Sequence, residues 1–514
     1  PLLLGKGRYT DDVQPPDCLH VAFLRSPHAH ARVKRIDPSR ARTAPGVAGV
    51  VTGADVEHLT GPMFVNRQFA PGMKVPNQPI IAKDLVLAQG IPVAAVAAES
   101  QYAALDATEL IDVEYEPLTA LPHADSALNG PALFPDLGTN LSFSRAWKNN
   151  DADGAFRSAH RVVSLRVTQQ LLASVALEAR GTLADFNPVT GELTVWLPSQ
   201  APSRTRAEIA TLLGIPEANV RVICPDAGGG FGTRSSLYRE TVLVAYLAMR
   251  LGRPVKWIST RSEDLLTTQH GRGGRSEGEL ALDAEGRMTA VRARVVCPIG
   301  TSLANSAPNS PFNHGRLLPG PYTIPACDIE VTGVFTTTAP TGAYRGAGRP
   351  EATFLIERLV DQAARTLGID PVDLRMKNFI PADRFPYKTV TGQTYDSVNY
   401  PRALEKAITI ADYPKLRKEQ AARRARGEIV GVGVAAYVEP CGSGWESGSV
   451  RVERTGSVTA VTGSSATGQG HETTYAQVVA DFLGVEPEVV VVRHGDTLFA
   501  PAGVGTMGSR SMGL

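Results

Sequence analysis

An α+β chain of about three domains is the fold class that the sequence predicts, and three observations predict it. The chain has 514 residues, enough for several buried cores. Short apolar strand patterns and longer amphipathic helix patterns interleave along most of its length. Gly (49) and Pro (37) are frequent, as many short strands joined by loops require.

The first 118 residues read as a small mixed domain. "CLHVAFLRS" and "ARVKRID" are strand patterns around the turn "PHAH", and "PSRARTAPG" is a short helix closed by Gly46. "VAGVVTG" and the buried run "IPVAAVAAES" are further strands. "SQYAALDATEL" is an amphipathic helix with Ser100 as its N-cap, and the alternating "IDVEYEPL" is a last strand. Residues 119–140 carry Pro, Gly, Ala and Asp without periodicity and read as a linker.

A second domain is expected over 141–385. Strands ("RVVSLRVTQQ", "TLADFNP", "ELTVWLPS") alternate there with helices ("SRTRAEIATLLG", "SLYRETVLVAYLAMRLG", "EATFLIERLVDQAARTLG"). The turns "NPVTGE" and "DAEGR" fall where antiparallel pairs need them. Phe354, Leu355, Leu359, Ala363 and Leu367 form the expected core-facing stripe of the last helix. A third domain is expected over 386–514. Its basic stretch "YPKLRKEQAARRARGE" reads as a solvated helix face. "GEIVGVGVAAYVEP", "SVRVERTGSVTAVTGSS" and "EVVVVRHG" read as strands, and "GHETTYAQVVADFLG" as a helix. The chain stops at Leu514 directly after the Gly/Ser-rich "GVGTMGSRSMGL", so this domain is expected to be truncated.

Composition excludes several function classes. The formal net charge is +1, which gives no general pull toward nucleic acid or an anionic membrane surface. No run of 18 apolar residues suits a membrane-spanning helix. No secretory leader is visible and a cytoplasmic location is expected, the periplasm staying open because the chain starts at Pro1. The five cysteines (Cys18, Cys224, Cys297, Cys327 and Cys441) form no CxxC pair, against zinc or iron–sulfur ligation by this chain and against a disulfide framework.

Four glycine-rich stretches concentrate hydrogen-bond donors. In "VRVICPDAGGGFGTRSSLYRE" a strand leads into Gly228–Gly232 and then a helix, the arrangement that brings backbone N–H groups close to an anion. A dinucleotide fingerprint fails here: counted from Gly228, Thr233 occupies the last glycine position, and no acid follows about 20 residues on for a ribose. In "SSATGQGHETTYAQ" Gly468, Gln469 and Gly470 precede a helix, with His471 read as a capping or packing histidine ahead of a ligand. In "GTMGSRSMG" Ser509 and Ser511 flank Arg510. In "TGAYRGAGRPEA" Arg345 stands in a Gly-flanked loop between a strand and a helix whose first turn is Pro350-Glu351. One such cradle binds a phosphate. Four spread over nearly 300 residues point to one extended anionic cofactor held between domains.

GGGFG, AYRGAGR, GQGHET and GSRS, in this order, resemble the molybdenum-binding large subunit of the xanthine dehydrogenase/aldehyde oxidase family. "GKGRYTDDV" with "RSPHAHARV" resembles that family's N-terminal α/β hammerhead domain, and "PEATFLIERLVDQAARTLGIDPVDLRMKN" matches its usual continuation. The resemblance covers the whole chain. It implies a hammerhead domain followed by two molybdopterin-binding domains, the last incomplete. It implies molybdopterin cytosine dinucleotide as cofactor, with molybdenum held through the pterin dithiolene and by no metal-ligating residue of this chain. It also implies partners: a small subunit carrying [2Fe-2S] clusters and a medium subunit carrying FAD, in a dimer of heterotrimers. The implied reaction oxidises an electron-poor C–H carbon with water as the oxygen source, and electrons leave to the iron–sulfur partner.

The resemblance also implies residue roles. Gln200, in "WLPSQAPS", hydrogen-bonds an oxygen on molybdenum. Arg345 and Gly346 lie in the loop beside it. Gly230, Phe231 and Gly232 approach the cofactor through their backbone. Gly468, Gln469 and Gly470 contact the pterin, and Ser509 and Ser511 lie near its pyrophosphate or pyran region. Glu240 and Ala347 fall at positions of the substrate pocket. Two departures from the family follow. Its general-base glutamate belongs beyond Leu514, so these residues alone are expected not to turn over. Copper-using carbon monoxide dehydrogenases carry a cysteine where this chain has Gly346, and purine-oxidising members an aromatic where it has Ala347. The loop resembles that of form II carbon monoxide dehydrogenase-like proteins, and an aldehyde or a small heterocycle is the expected substrate class. The competing readings are a carbon monoxide dehydrogenase-like oxidoreductase, a nicotinamide dehydrogenase and an inactive truncated subunit.

Overall fold

The structure is a computed structural model, and it describes residues 2–62, 64–442 and 444–513. Its largest sheet has seven strands, in the order Val220–Ile223, Glu192–Trp196, Gly181–Asn187, Val255–Ile258, Leu19–Arg25, Pro92–Ala98, Val47–Thr52. This sheet does not stop at residue 118. Leu19–Arg25 pairs in parallel with Val255–Ile258 on one side and antiparallel with Pro92–Ala98 on the other. The run "PVAAVAA" is buried at every position, as a strand covered on both faces demands. Helix Arg239–Leu251 packs its Val242 and Leu243 into the same core as Leu19, Val195 and Trp257. A smaller sheet joins Ala31–Asp37 to Asp112–Pro117, and helix Gln101–Thr108 starts at Ser100, whose hydroxyl accepts from Ala103 N at 3.1 Å.

The expected linker is packed chain. Residues 119–140 contain helix Ala124–Leu128, and Leu121, Ala127 and Leu133 are buried with Phe335. Asn140 bonds the carbonyls of Ala127 and Pro131 at 2.8 Å, so its side chain closes the segment on itself. These apolar residues are irregularly spaced because they fill a loop core rather than a helix face, and no period marks them.

Five strands form the next sheet, in the order Arg161–Thr168, Arg275–Leu282, Met288–Pro298, Ala326–Val334, Leu141–Asn149. Helix Arg349–Leu367 lies on it, with Leu355 and Leu359 closing over Gly278. The buried stripe of that helix is Ala352, Leu355, Ile356, Leu359, Val360 and Ala363; Phe354, expected within it, is 41% exposed on the other side. Residue 386 is not a break in packing, because Val390, Tyr395, Tyr400 and Leu404 belong to the same core as Leu355 and Ile380.

The last sheet has three strands, Gly448–Val452, Val458–Thr462 and Val490–Arg493, with helix His471–Leu483 against it. It is tied to the first sheet: Cys224 N donates to Gly495 O at 2.7 Å, and Arg221 pairs with Asp496 at 2.7 Å. The strand expected in "GEIVGVGVAAYVEP" is not formed. A Cβ on Gly431 or Gly433 would meet nothing within 4 Å, and that half is held by side chains rather than a strand: Gln420 and Arg424 donate to Val430 O at 3.2 and 2.8 Å. The other half runs along helix Arg349–Leu367, where Ala436 N donates to Glu357 Oε2 at 3.0 Å. No helix of the described residues is long and apolar enough to cross a membrane.

Candidate functional site

Gln200 is the residue on which three loops meet. It follows strand Glu192–Trp196 and precedes helix Pro202–Leu213, and only 4% of it is exposed. Its Oε1 accepts from Gly232 N at 2.9 Å and its Nε2 donates to Thr506 O at 2.7 Å. A Cβ on Gly230 would lie 2.8 Å from both Gln200 Cδ and Thr467 Oγ1, and one on Gly505 would strike the Gln200 backbone. Glycine at these positions is therefore the condition for the loops at 228–232, 467–470 and 505–506 to converge.

The glycine loop is pinned at both ends. Gly228 N donates to Glu178 Oε2 at 2.8 Å, and Glu178 is a carboxyl that burial pushes up from its ordinary value. At the other end Phe231 takes a left-handed conformation (φ 52°) and leaves its ring half-exposed. Arg345 N donates to Phe231 O at 2.9 Å, and the Arg345 guanidinium stands 5.9 Å from the Phe231 ring centre. The loop around Arg345 thus meets the glycine loop directly. Gly346 has φ 95° and Ala347 φ 42°, and the Ala347 carbonyl accepts from Asn313 Nδ2 at 2.7 Å. Gly348 (φ 93°) then starts helix Arg349–Leu367.

Two residues that join these loops carried no recognised signal in the sequence. Gln269 is fully buried; its Nε2 donates to Ala343 O at 2.8 Å and reaches Gly232 O at 3.3 Å, while Ser236 Oγ donates to its Oε1. Arg272 donates to Tyr344 O at 2.9 Å and to Arg345 O at 2.8 Å, and pairs with Glu351 at 3.5 Å. The available signal was "HGRGG", a second Gly-flanked arginine like the one at Arg345.

Gly468 and Gly470 have positive φ, and a Cβ on either would project into open space. Gln469 Oε1 turns back onto Thr467 N at 2.5 Å, and its amide nitrogen has no partner among the described residues. His471 is a packing histidine: it is buried, stacked on Tyr475 at 4.9 Å, and burial lowers its imidazole. A cavity of about 520 Å³ opens beside this loop, bounded by Trp196, Cys224, Asp226, Gly468, Gly470 and His494. The two serines at the end of the chain have separate surroundings. Ser509 Oγ lies 3.4 Å from Glu439 Oε1, whereas Ser511 lies at a second cavity of about 370 Å³, its carbonyl accepting from Tyr475. Glu240 is committed elsewhere: Arg25 at 3.0 Å and Arg180 at 3.2 Å hold its two oxygens. Burial would raise this carboxyl, but the two arginines outweigh burial and hold it at about 2. A carboxylate so paired is a strut between the first strand and helix Arg239–Leu251.

The N–H groups of Gly230, Phe231, Gly468, Gln469 and Gly470 make no hydrogen bond among the described residues. Arg234 Nε and Arg510 Nε are buried and likewise unpaired. Donors of this kind along one convergence of loops suit a long ligand rich in acceptors and negative charge. Among the described residues no cluster of three or more His, Cys, Asp or Glu could hold a metal ion.

Residues 4–119 match the aldehyde oxidase and xanthine dehydrogenase a/b hammerhead domain, and residues 133–379 and 406–514 match molybdopterin cofactor-binding domains. The carbon monoxide dehydrogenase large chain of Hydrogenophaga pseudoflava is 37% identical over 540 residues, covering 99% of this chain and 66% of that protein. The nicotine 6-hydroxylase large subunit of Paenarthrobacter nicotinovorans is 33% identical, covering 99% and 64%. Among solved structures, quinoline 2-oxidoreductase from Pseudomonas putida 86 superposes with a TM-score of 0.95 at 36% identity, covering 99% of this chain and 66% of that one. A Cu,Mo-CO dehydrogenase superposes with 0.93 at 36% identity, covering 100% and 68%. The chain thus spans about two thirds of the length of these relatives. On its three matched domains and its likeness to these large subunits, the chain belongs to the molybdenum-binding large subunits of the xanthine dehydrogenase/aldehyde oxidase family of molybdenum-dependent oxidoreductases.

Proposed function

We propose that the chain is the catalytic large subunit of a molybdenum hydroxylase that oxidises a C–H carbon of an aldehyde or small heterocycle, with water as the oxygen source. The observation that carries this reading is the convergence at Gln200 of the loops of Gly232 and Thr506, beside the Arg345 loop. The cofactor is taken to be molybdopterin cytosine dinucleotide, which when bound supplies the redox-active metal centre. This chain's residues fit it: the free N–H groups of Gly230, Phe231 and Gly468–Gly470 suit its polar edge, and Gln200 with the Arg345–Ala347 loop suits its metal end. Ser509, Ser511 and Arg510 are assigned to its charged or pyran portion. FAD and [2Fe-2S] clusters belong to a medium and a small partner subunit, in a dimer of heterotrimers in the cytoplasm.

Gly346 and Ala347 shape the substrate side. Neither offers a thiolate, so a soft metal ion such as copper has no ligand from this part of the loop, and neither offers a ring to stack on. That favours aldehydes and small heterocycles over carbon monoxide, although two of the relatives are named for carbon monoxide. The test is metal analysis of the full-length protein co-expressed with its partners, followed by turnover with aldehydes, purines and carbon monoxide. Molybdenum at about one per large subunit and oxidation of an aldehyde or heterocycle are expected. Matured protein without molybdenum overturns the proposal, and turnover of carbon monoxide alone overturns the substrate class.

A further inference from the structure

The segment after the unformed strand brings a phenol to the Arg345 loop. Tyr437 Oη lies 3.5 Å from the position a Cβ on Gly346 would take, and the residue is 47% exposed, so it borders open space at that loop. Its hydroxyl donates to Glu439 Oε2. Glu439 is anchored in turn: Arg349 Nε stands 3.3 Å from Oε1, and Ser509 Oγ lies 3.4 Å from the same oxygen. Arg349 Nη1 donates to Gly346 O at 3.0 Å and its Nη2 to Pro440 O at 3.1 Å, so its link to Glu439 is an ion pair. One arginine therefore fixes both the loop and the carboxylate that orients the phenol.

The consequence lies in the direction of a proton. A phenol has one donor and can also accept. With its hydrogen committed to an arginine-paired carboxylate, Tyr437 has only lone pairs left for the open side. Burial and this bond to Glu439 both hold the phenol well above its ordinary range, so it keeps that hydrogen at any working pH. Gly346 has no side chain to cover the oxygen, and Ala347 has only a methyl group.

Resting on the function proposed above, we infer that Tyr437 is a specificity residue: its oxygen accepts a hydrogen bond from substrate and selects compounds that carry an N–H or O–H close to the oxidised carbon. Aprotic analogues leave that oxygen unpaired on binding, and they are disfavoured by about fivefold, the worth of one neutral hydrogen bond.

The test uses the full-length molybdenum-loaded complex and a matched pair, quinazolin-4(3H)-one and its N3-methyl derivative. Dissociation constants come from calorimetry and kcat and KM from steady-state oxidation. The N–H compound is expected to bind about fivefold more tightly than the methylated one. Tyr437→Phe should abolish that ratio in both Kd and KM, with molybdenum content unchanged. Glu439→Leu removes the acceptor, frees the phenol hydrogen and should reduce the ratio in the same direction. Equal ratios in the wild type and Tyr437→Phe, or no binding of either compound by a complex that oxidises aldehydes, overturn the inference alone. A molybdenum-loaded complex that oxidises neither aldehydes nor heterocycles overturns the proposed function instead, and the calorimetric ratio still decides the role of Tyr437.

Discussion

At the scale of single residues, the site depends on groups whose two ends are both occupied. Gln200 is buried with Gly232 N–H on one atom and Thr506 C=O on the other. Gln200→Ala leaves both backbone groups without a partner, at a cost of about 2–4 kcal/mol if each loses part of its desolvation penalty. Gln200→Glu keeps the acceptor toward Gly232 but turns a carboxylate oxygen onto the Thr506 carbonyl in a buried site, so it should cost at least as much at neutral pH. Urea unfolding of the chain measures the first difference, and molybdenum content of the matured complex measures whether the loops still converge. Unchanged midpoints in both variants would show that Gln200 is not the hub. The sequence marked Gln200 only through resemblance, since a lone Gln after a strand has no pattern of its own. Gln269 and Arg272 bind backbone carbonyls far along the chain, and nothing local to "TTQHGRGG" encodes which carbonyls those are.

At the scale of elements, legibility followed periodicity. Helices such as Arg239–Leu251 and His471–Leu483 were readable because apolar positions repeat along them. Residues 429–440 alternate like a strand yet form none, because a ladder needs a neighbouring strand as well as a pattern. Helix Pro202–Leu213 carries a pH-dependent feature that no pattern reveals. Glu208 lies buried on it, with Arg204 at 3.7 Å and Asn305 at 3.4 Å, and burial outweighs Arg204 and pushes its carboxyl up to about 7. The folded chain therefore holds this proton up to about pH 7, while the unfolded chain releases it near 4.5. Across that window the folded state binds more protons, so the contribution of Glu208 to stability falls as pH rises through it. Glu208→Gln removes the titration. It should flatten stability between pH 4.5 and 7 and raise it at pH 8 by about 1–3 kcal/mol relative to wild type. Thermal melts at pH 5 and pH 8 check this, and a parallel pH response in both proteins would refute it.

At the scale of the whole molecule, the chain is not built as beads on a string. The expected boundary near residue 118 separates sequence segments, yet the seven-stranded sheet runs through it. Leu19–Arg25 is an interior strand whose two neighbours come from 92–98 and from 255–258. Length and linker composition suggest domains because they record how the chain was punctuated, whereas sheet continuity depends on which edges meet in space. The ion pair of Glu240 with Arg25 at 3.0 Å crosses the same seam, and so does Arg253 with Glu99 at 2.8 Å. A fragment of residues 1–118 would expose the edge of Leu19–Arg25 that Val255–Ile258 covers, together with Val21, Phe23 and Val51, which pack in the core shared with Val242 and Trp257. An unpaired apolar edge of that kind is a template for aggregation. The fragment is therefore expected to be poorly soluble, or to bind a hydrophobic dye with no cooperative melt, while residues 1–410, which restore Gly181–Asn187 and Val255–Ile258 and keep the five-stranded sheet whole, should recover a cooperative transition. A soluble 1–118 fragment with a sharp melt would mean that the first segment folds by itself and that the shared sheet is a docking of two finished units; its failure together with recovery in the longer fragment would mean that the cofactor-binding loops grow from a sheet that both segments must build.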